Sequence, residues 1–553
     1  MKSNRSGLEN NLKLIAKTSF IVFVGLVISK ILGYAYRVII ARSLGPEIYG
    51  LFNLSIMIIG LFVTIASLGL SDGLVRYLSI YRERKQEDKL NYIFKISLWI
   101  TSITSIVSGL ILFIFANFIS ISIFHEPQLI IYLQILSIAV PATVLMSVFL
   151  SVLRAYEKIE YYSFIFNILQ NIFRVSLLIL LLVLGIKTNA IPLSYTFGMI
   201  LTVVVTYYFT NRLVPNIFIT RIKNLRNRKP ILKELFNYSI PLTFHGLLIT
   251  LFFWVDSFSL GYYKTVFEVG IYGAATAIAL LLNLVPEIFS QLFFPLISKE
   301  YSKGNKKLVK ELSKQVGKWI FIFSLPAFLL IIIFPGAALN ILFGSDYLPA
   351  TNALRILAFG ALLSTMGFIS NQLLSIIGKS KLVLFNSLIA VIVNFILNAF
   401  LVPMNKIAGI DNASGINGAA IATLISLILF NLLFIIQAYR NTLILPFRRK
   451  MLSVLILSII PTLLLLYVRK INESRGLFYI GIMCLLFFII YFVLMFIFKA
   501  FDRNDLLIIR KVFEKFGQPL SKFRAFYESS KNYLILTAPF LPCYLIFLIY
   551  KNQ

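Results

Sequence analysis

Apolar residues run along the chain in blocks of about twenty, the length a helix needs to cross roughly 30 Å of hydrocarbon. Fourteen such blocks can be drawn, near residues 18–40, 48–70, 92–119, 128–152, 161–185, 191–211, 235–258, 270–297, 319–336, 351–376, 382–402, 415–438, 451–468 and 477–498. Continuous runs such as Val175 to Leu184 show neither strand alternation nor barrel-like spacing. In lipid, backbone groups must be satisfied within their own segment, so each block is expected to be a helix. The pattern predicts an all-α integral membrane protein.

The polar segments between the blocks carry an asymmetry. With the N-terminus placed inside, the inner segments, tail included, hold 40 Lys and Arg and the outer ones 7. Cytoplasmic loops collect these residues, so the bias predicts an even number of spans, a cytoplasmic N-terminus and a place in the cell membrane. The first block contains Lys30 and runs into Arg37 and Arg42 without a small-residue cleavage pattern, so it is expected to be retained. Beyond Lys499, Arg510, Lys511, Lys515, Lys522 and Arg524 suit a helix lying on an anionic leaflet. The apolar stretch from Tyr533 to Tyr550 is broken by Pro539 and Pro542, and can cross, re-enter or lie in the interface.

Composition narrows the class further. With 59% hydrophobic and 13% charged residues and a mean hydropathy of +0.89, the chain has more apolar surface than a water-facing fold buries. A net charge of +30 would point to nucleic acid in a soluble protein. Here it reports orientation, and no nucleic-acid partner is expected. Two cysteines, Cys484 and Cys543, exclude a disulfide framework.

The chain also repeats itself. Ile48-Tyr49-Gly50 recurs as Ile271-Tyr272-Gly273, Leu133-Gln134-Ile135-Leu136 as Leu354-Arg355-Ile356-Leu357, and Lys158 as Lys379, all at offsets of about 222 residues. A unit of that length holds six spans. Six is even, so both copies share an orientation and are related by an axis along the membrane normal, with a cavity between them. The expected organisation is an N-lobe over 1–215, a C-lobe over 216–445, two extra helices over 446–500, and a basic tail over 501–553.

Charges inside lipid cost at least ~2.5 to 3.5 kcal/mol each, so each needs a reason. Lys30 lies about 18 Å into the first span, near the midplane. Arg37, seven residues on, falls on nearly the same helical face, so both cations can look into one cavity. Snorkelling and interfacial anchoring are the plainer alternatives. The fifth span carries Asn167, Gln170, Asn171 and Arg174 at spacings of three and four, one polar stripe on an apolar helix. Gln170 reads as interhelical glue, Arg174 as a cavity cation. In the second half, His245, Asp256, Glu287 beside Pro286, and Arg355 are candidates for gating or coupling; Asp256 or Glu287 could neutralise a cation of the other lobe on closure.

Enzyme signatures are absent: Gly378-Lys379-Ser380 lacks the earlier glycine of a phosphate loop, and the two histidines make no HExxH site. No cofactor or metal is expected, and Na+ or H+ stays open as a coupling ion. Asn412-Ala413-Ser414 and Asn472-Glu473-Ser474 are glycosylation sequons on expected outer loops.

The stretches Ser29-Lys30-Ile31-Leu32-Gly33 through Arg37, Ala41-Arg42-Ser43-Leu44-Gly45-Pro46-Glu47, Tyr49-Gly50 and Leu68-Gly69-Leu70 form an opening motif. It resembles that of polysaccharide and oligosaccharide flippases in the multidrug/oligosaccharidyl-lipid/polysaccharide exporter superfamily. Trp254-Val255-Asp256, Val269-Gly270-Ile271-Tyr272 and Leu342-Phe343-Gly344-Ser345-Asp346-Tyr347 look like that family too. The resemblance covers about residues 18–500. It implies a MATE-like fold, two six-helix lobes plus two extra helices, and alternating access on a polyprenyl-(di)phosphate-linked oligosaccharide. Such a headgroup is anionic, and Lys30, Arg37 and Arg174, with Asn167 and Asn171 beside them, suit it. Membrane lipids, and glycosyltransferases or a polymerase of the same pathway, are the partners this implies. The alternatives are a cation-coupled multidrug exporter, which would want carboxylates in the first lobe, and a non-transporting scaffold or scramblase.

Overall fold

The structure is a computed structural model that describes residues 2–219, 228–407, 410–471 and 477–498. The tail over 501–553 and the sequon at Asn472 lie outside the described residues.

The described chain is helical apart from a two-stranded antiparallel hairpin, Lys406–Ile407 with Ile410–Asp411. Its helices are α1 (Lys2–Ser67), α2 (Leu70–Glu83), α3 (Glu87–Asn117), α4 (Leu129–Ser137), α5 (Ala139–Ala155), α6 (Ile159–Ser163), α7 (Gln170–Val183), α8 (Ala190–Leu213) and α9 (Asn216–Ile219), then α10 (Arg228–Tyr263), α11 (Val266–Leu280), α12 (Leu284–Ser302), α13 (Lys306–Ile333), α14 (Pro335–Leu342), α15 (Thr351–Ile376), α16 (Ser380–Leu401), α17 (Ile416–Thr442), α18 (Arg449–Ile471) and α19 (Leu477–Ile497). Among the described residues, twelve helical stretches are long and apolar enough to cross a membrane, and α19 adds a shorter apolar run, Gly481–Met495. The first stretch, Val22–Glu83, is 62 residues long, about 90 Å of helix and far more than one crossing needs. It doubles back at Gly45, whose φ of 86° only glycine adopts freely, followed by Pro46 at the start of the second half. The arrangement is compatible with fourteen crossings.

Two six-helix lobes, α1–α8 and α10–α17, meet face to face, with α18 and α19 outside them against α13, where the Tyr491 hydroxyl donates to Ile322 O at 2.9 Å. Large apolar side chains left on the outside, such as Trp99, Leu110, Ile114 and Phe118 along α3, face where lipid would lie.

The lobes touch at both ends of the bundle. At the far end, where α1 doubles back, its second half crosses α11 at backbone contact: a Cβ on Gly50 would lie 1.7 Å from Val266 O, and one on Gly270 would lie 1.9 Å from Pro46 O. Arg42 donates there to the last carbonyls of α14, Asn340 O at 3.0 Å and Leu342 O at 3.1 Å, where a helix end carries partial negative charge. One buried core joins the lobes at this end through Tyr49, Tyr272, Phe343 and Tyr347. At the near end, where α10 starts, Gly69 and Gly73 beside α2 leave only enough room for Ser239 of α10, and the Arg76 guanidinium lies 4.5 Å over the Tyr238 ring.

One expectation fails on burial. Asn412 has no exposed surface, and its amide donates to Leu401 O and Met404 O while its Oδ1 accepts from Gly418 N. It ties the hairpin to α17 and cannot serve as a glycan acceptor.

Candidate functional site

The first half of α1 has two working faces. Gly25, Ser29 and Tyr36 turn toward their own lobe: Gly25 lies against Ser163 and Asn167, Asn171 of α7 donates to Ser29 Oγ at 3.1 Å, and the Tyr36 hydroxyl pairs with Ser194 of α8 at 3.0 Å. Lys30, Gly33, Tyr34 and Arg37 form the other face, within an arc of about 100° at 100° per residue, and turn toward the C-lobe. A Cβ on Gly33 would meet nothing within 4 Å. That glycine therefore fronts open space between the two cations.

The contacts of this second face cross between lobes. Lys30 Nζ sits 3.0 Å and 3.2 Å from the two carboxylate oxygens of Glu287 at the start of α12. The Tyr34 hydroxyl donates to Ala277 O of α11 at 2.5 Å. Arg37 has no carboxylate partner among the described residues; its Nη1 reaches only the Tyr49 hydroxyl, at 3.5 Å. The expectation that a C-lobe carboxylate can neutralise an N-lobe cation thus has a counterpart in the Lys30–Glu287 contact.

The fifth-span stripe begins inside a wide π turn, Phe164–Leu169, which contains Asn167, a local widening frequent at functional sites. Asn167 is buried and donates to Ser163 Oγ at 3.0 Å; Asn171 also donates to Asn167 O at 2.9 Å. Gln170 reaches Met199 Sδ at 3.5 Å. Arg174 is partly buried beside α8, its guanidinium 4.1 Å over the Tyr195 ring and Nη2 3.0 Å from Met199 Sδ. Its buried Nε has no hydrogen-bond partner among the described residues. The structure therefore brings Lys30 and Arg37 to one face and Asn171 behind it, with Arg174 held in the lobe wall alongside Tyr36.

Asp256 belongs to a separate cluster inside the C-lobe. Its carboxylate is buried and accepts from the Tyr272 hydroxyl at 2.6 Å, from Asn398 Nδ2 at 2.8 Å and from the Thr423 hydroxyl. Asn398 Nδ2 also donates to Asn394 Oδ1 at 2.9 Å, leaving Asn398 Oδ1 and Asn394 Nδ2 buried without partners among the described residues. No Lys, Arg or His pairs with this carboxylate among the described residues. A buried ionised carboxyl with only neutral donors is expensive, and this one is held by a tyrosine, a threonine and an asparagine. No group of three or more His, Cys, Asp or Glu that could hold a metal occurs among the described residues. The sequence signal was present: Asn394 and Asn398 stand at i and i+4 on an apolar helix, the same stripe logic that singled out Asn167 and Asn171. His245 lies mid-way along α10 with a buried Nδ1 that has no partner among the described residues. Arg355 donates to Ile332 O at 3.4 Å and Asn352 Oδ1 at 3.1 Å, bracing α15 against α13 at the far end.

Comparison with known proteins decides the family. The pattern of the polysaccharide biosynthesis protein family matches residues 15–301, just over half of the chain, and includes both Lys30 and Glu287. The chain belongs to this family. The MatE pattern matches residues 241–400, so the chain sits in the multidrug/oligosaccharidyl-lipid/polysaccharide exporter superfamily. A lipid II flippase, MurJ, of Bacillus subtilis is 23% identical over 436 residues, 72% of this chain and 79% of that protein. A putative O-antigen transporter of Shigella flexneri is 23% identical over 354 residues, 62% of this chain and 80% of that protein. Among solved structures, a lipid II flippase MurJ in an inward closed conformation superposes with a TM-score of 0.65 at 17% identity, covering 88% of this family member and all of that chain. An inward-facing MATE family multidrug transporter superposes with a TM-score of 0.60 at 17% identity, covering 76% and 98%. The fold is MATE-like.

Proposed function

We propose that this protein is a flippase that moves a polyprenyl-(di)phosphate-linked oligosaccharide or polysaccharide repeat unit from the cytoplasmic to the outer leaflet by alternating access, for cell-surface glycan synthesis. The observation that carries the reading is the pair of cations, Lys30 and Arg37, flanking the open position at Gly33 on the face of α1 that meets the opposite lobe. A diphosphate needs two or more donors of positive charge, and charge-assisted contacts of this kind are the strong ones. The relatives named as a lipid II flippase and an O-antigen transporter support the substrate class. Arg174, Asn167 and Asn171 position the wall behind α1. The Asp256 cluster is the proposed coupling site, taking up H+ or Na+ so that a gradient can drive the return step. The N-terminus is placed in the cytoplasm by the distribution of Lys and Arg, and pathway glycosyltransferases or a polymerase are the proposed partners.

The multidrug-exporter alternative draws on the MatE match. It requires a chamber attractive to cations, and the charged side chains of α1 seen to turn toward the C-lobe, Lys30, Arg37 and Arg42, are all basic. Purified protein in liposomes separates the two: movement of a fluorescent polyprenyl-diphosphate sugar without efflux of a cationic dye supports the flippase, and dye efflux alone contradicts it.

A further inference from the structure

We infer that Glu287 is a built-in stand-in for the substrate's phosphate: it occupies Lys30 in the empty protein and must be displaced when an anionic headgroup binds. This rests on the reading of Lys30 as a phosphate-holding group and adds a residue that opposes it.

The geometry is that of an exchangeable anion. Both carboxylate oxygens of Glu287 stand within hydrogen-bond distance of Lys30 Nζ, 3.0 Å and 3.2 Å, which is how an ammonium would also be used by a phosphate. The two side chains are 38% and 42% exposed, so the pair is reachable and only weakly held, unlike a sealed buried pair. Arg37, two turns along, has only a tyrosine hydroxyl among the described residues, so a diphosphate that replaces Glu287 at Lys30 can engage Arg37 next without stripping a bare charge into lipid. One anion leaves as another arrives.

The position of the pair gives the exchange a structural consequence. Along α1, contacts with the C-lobe descend from the far end: Arg42 with the α14 carbonyls, the Tyr347 hydroxyl with Ala41 O at 3.3 Å, Tyr34 with Ala277 O, and last Lys30 with Glu287. Lys30–Glu287 is the lowest of these rungs and the one whose two partners both carry formal charge. Glu287 also sits where its helix can move, one residue after Pro286 and just past the tight turn Leu281–Asn283. A headgroup arriving from the near side meets this rung first, and taking Lys30 frees α12 from α1.

The test uses the full-length protein in lipid nanodiscs with undecaprenyl diphosphate, which carries no sugar, as probe. Glu287→Gln is expected to bind it about three- to tenfold tighter, Lys30→Gln at least about fivefold weaker, and the double variant like Lys30→Gln within about twofold, because Glu287 acts through Lys30. Unchanged or weaker binding by Glu287→Gln, with Lys30→Gln still weakened, overturns the competitor role and leaves the substrate reading standing. No effect of Lys30→Gln overturns the substrate reading itself. A second measurement leaves the pair intact: spin labels at Val27→Cys and Ser290→Cys, with Cys484 and Cys543 replaced by serine, should move apart when undecaprenyl diphosphate is added and stay put with undecaprenol. An unchanged distance with the diphosphate overturns the inference.

Discussion

At the scale of single residues, the same carboxylate chemistry is used in two opposite ways. Glu287 is partly exposed and paired with a cation, whereas Asp256 is buried among a tyrosine, a threonine and an asparagine that donate to it and carry no charge. An exposed pair is readily exchanged; a buried carboxylate among neutral groups has nothing to exchange except a proton or a small cation. Asp256→Asn is therefore expected to leave headgroup binding within about twofold while lowering gradient-driven transport by about tenfold or more. Flipping assays under imposed pH and Na+ gradients check this, and whichever gradient no longer matters in the variant identifies the ion. Much of this scale was legible in the chain, because Lys30, Arg37 and Asp256 stand out wherever charge is costly. Their partners were not. Lys30 and Glu287 are 257 residues apart and Asp256 and Asn398 are 142 apart, distances at which no helical spacing connects two side chains.

Among the elements, glycines divide α1 into a part that must open and a part that must stay shut. Gly33 has empty space where a side chain would go, while Gly50 faces Val266 O and Gly270 faces Pro46 O at distances no Cβ can hold. Gly33→Leu is expected to fold with an unchanged melting temperature but to lose most headgroup binding, since the leucine fills the space between Lys30 and Arg37. Gly270→Val should lower stability by about 1–3 kcal/mol or more, because backbone on both helices must shift. Thermal melting and undecaprenyl diphosphate binding, measured side by side, separate the two effects. The doubling back at Gly45-Pro46 shows what pattern reading captures and what it misses. The two apolar blocks around it were evident from the hydrophobic pattern, whereas Gly45-Pro46 entered only as part of the opening motif. The closeness of the α1–α11 crossing depends on a second glycine about 220 positions later, and the sequence offered only the repeated Tyr-Gly as a hint. The sequon at Asn412 failed for the same kind of reason: a three-residue motif carries no information about burial.

For the whole molecule, the lipid setting made the architecture readable. Backbone that must be satisfied locally forces helices, and the Lys and Arg count then orders their ends. If that order is right, cysteines placed at Lys187 and Lys303 lie on opposite faces: a membrane-impermeant thiol reagent added to intact cells should label Lys187→Cys and spare Lys303→Cys. Labelling of both, or only of Lys303→Cys, contradicts the assigned orientation.

The central claim is that two cations on α1 recognise phosphate rather than sugar or lipid. It is tested most directly by giving liposomes containing the wild-type protein the same fluorescent glycan on undecaprenyl diphosphate and on an uncharged undecaprenyl ether. The account predicts protein-dependent translocation of the diphosphate-linked glycan, abolished in the Lys30→Gln/Arg37→Gln double variant, and none of the ether. Equal translocation of both lipids, or an unaffected double variant, would contradict it.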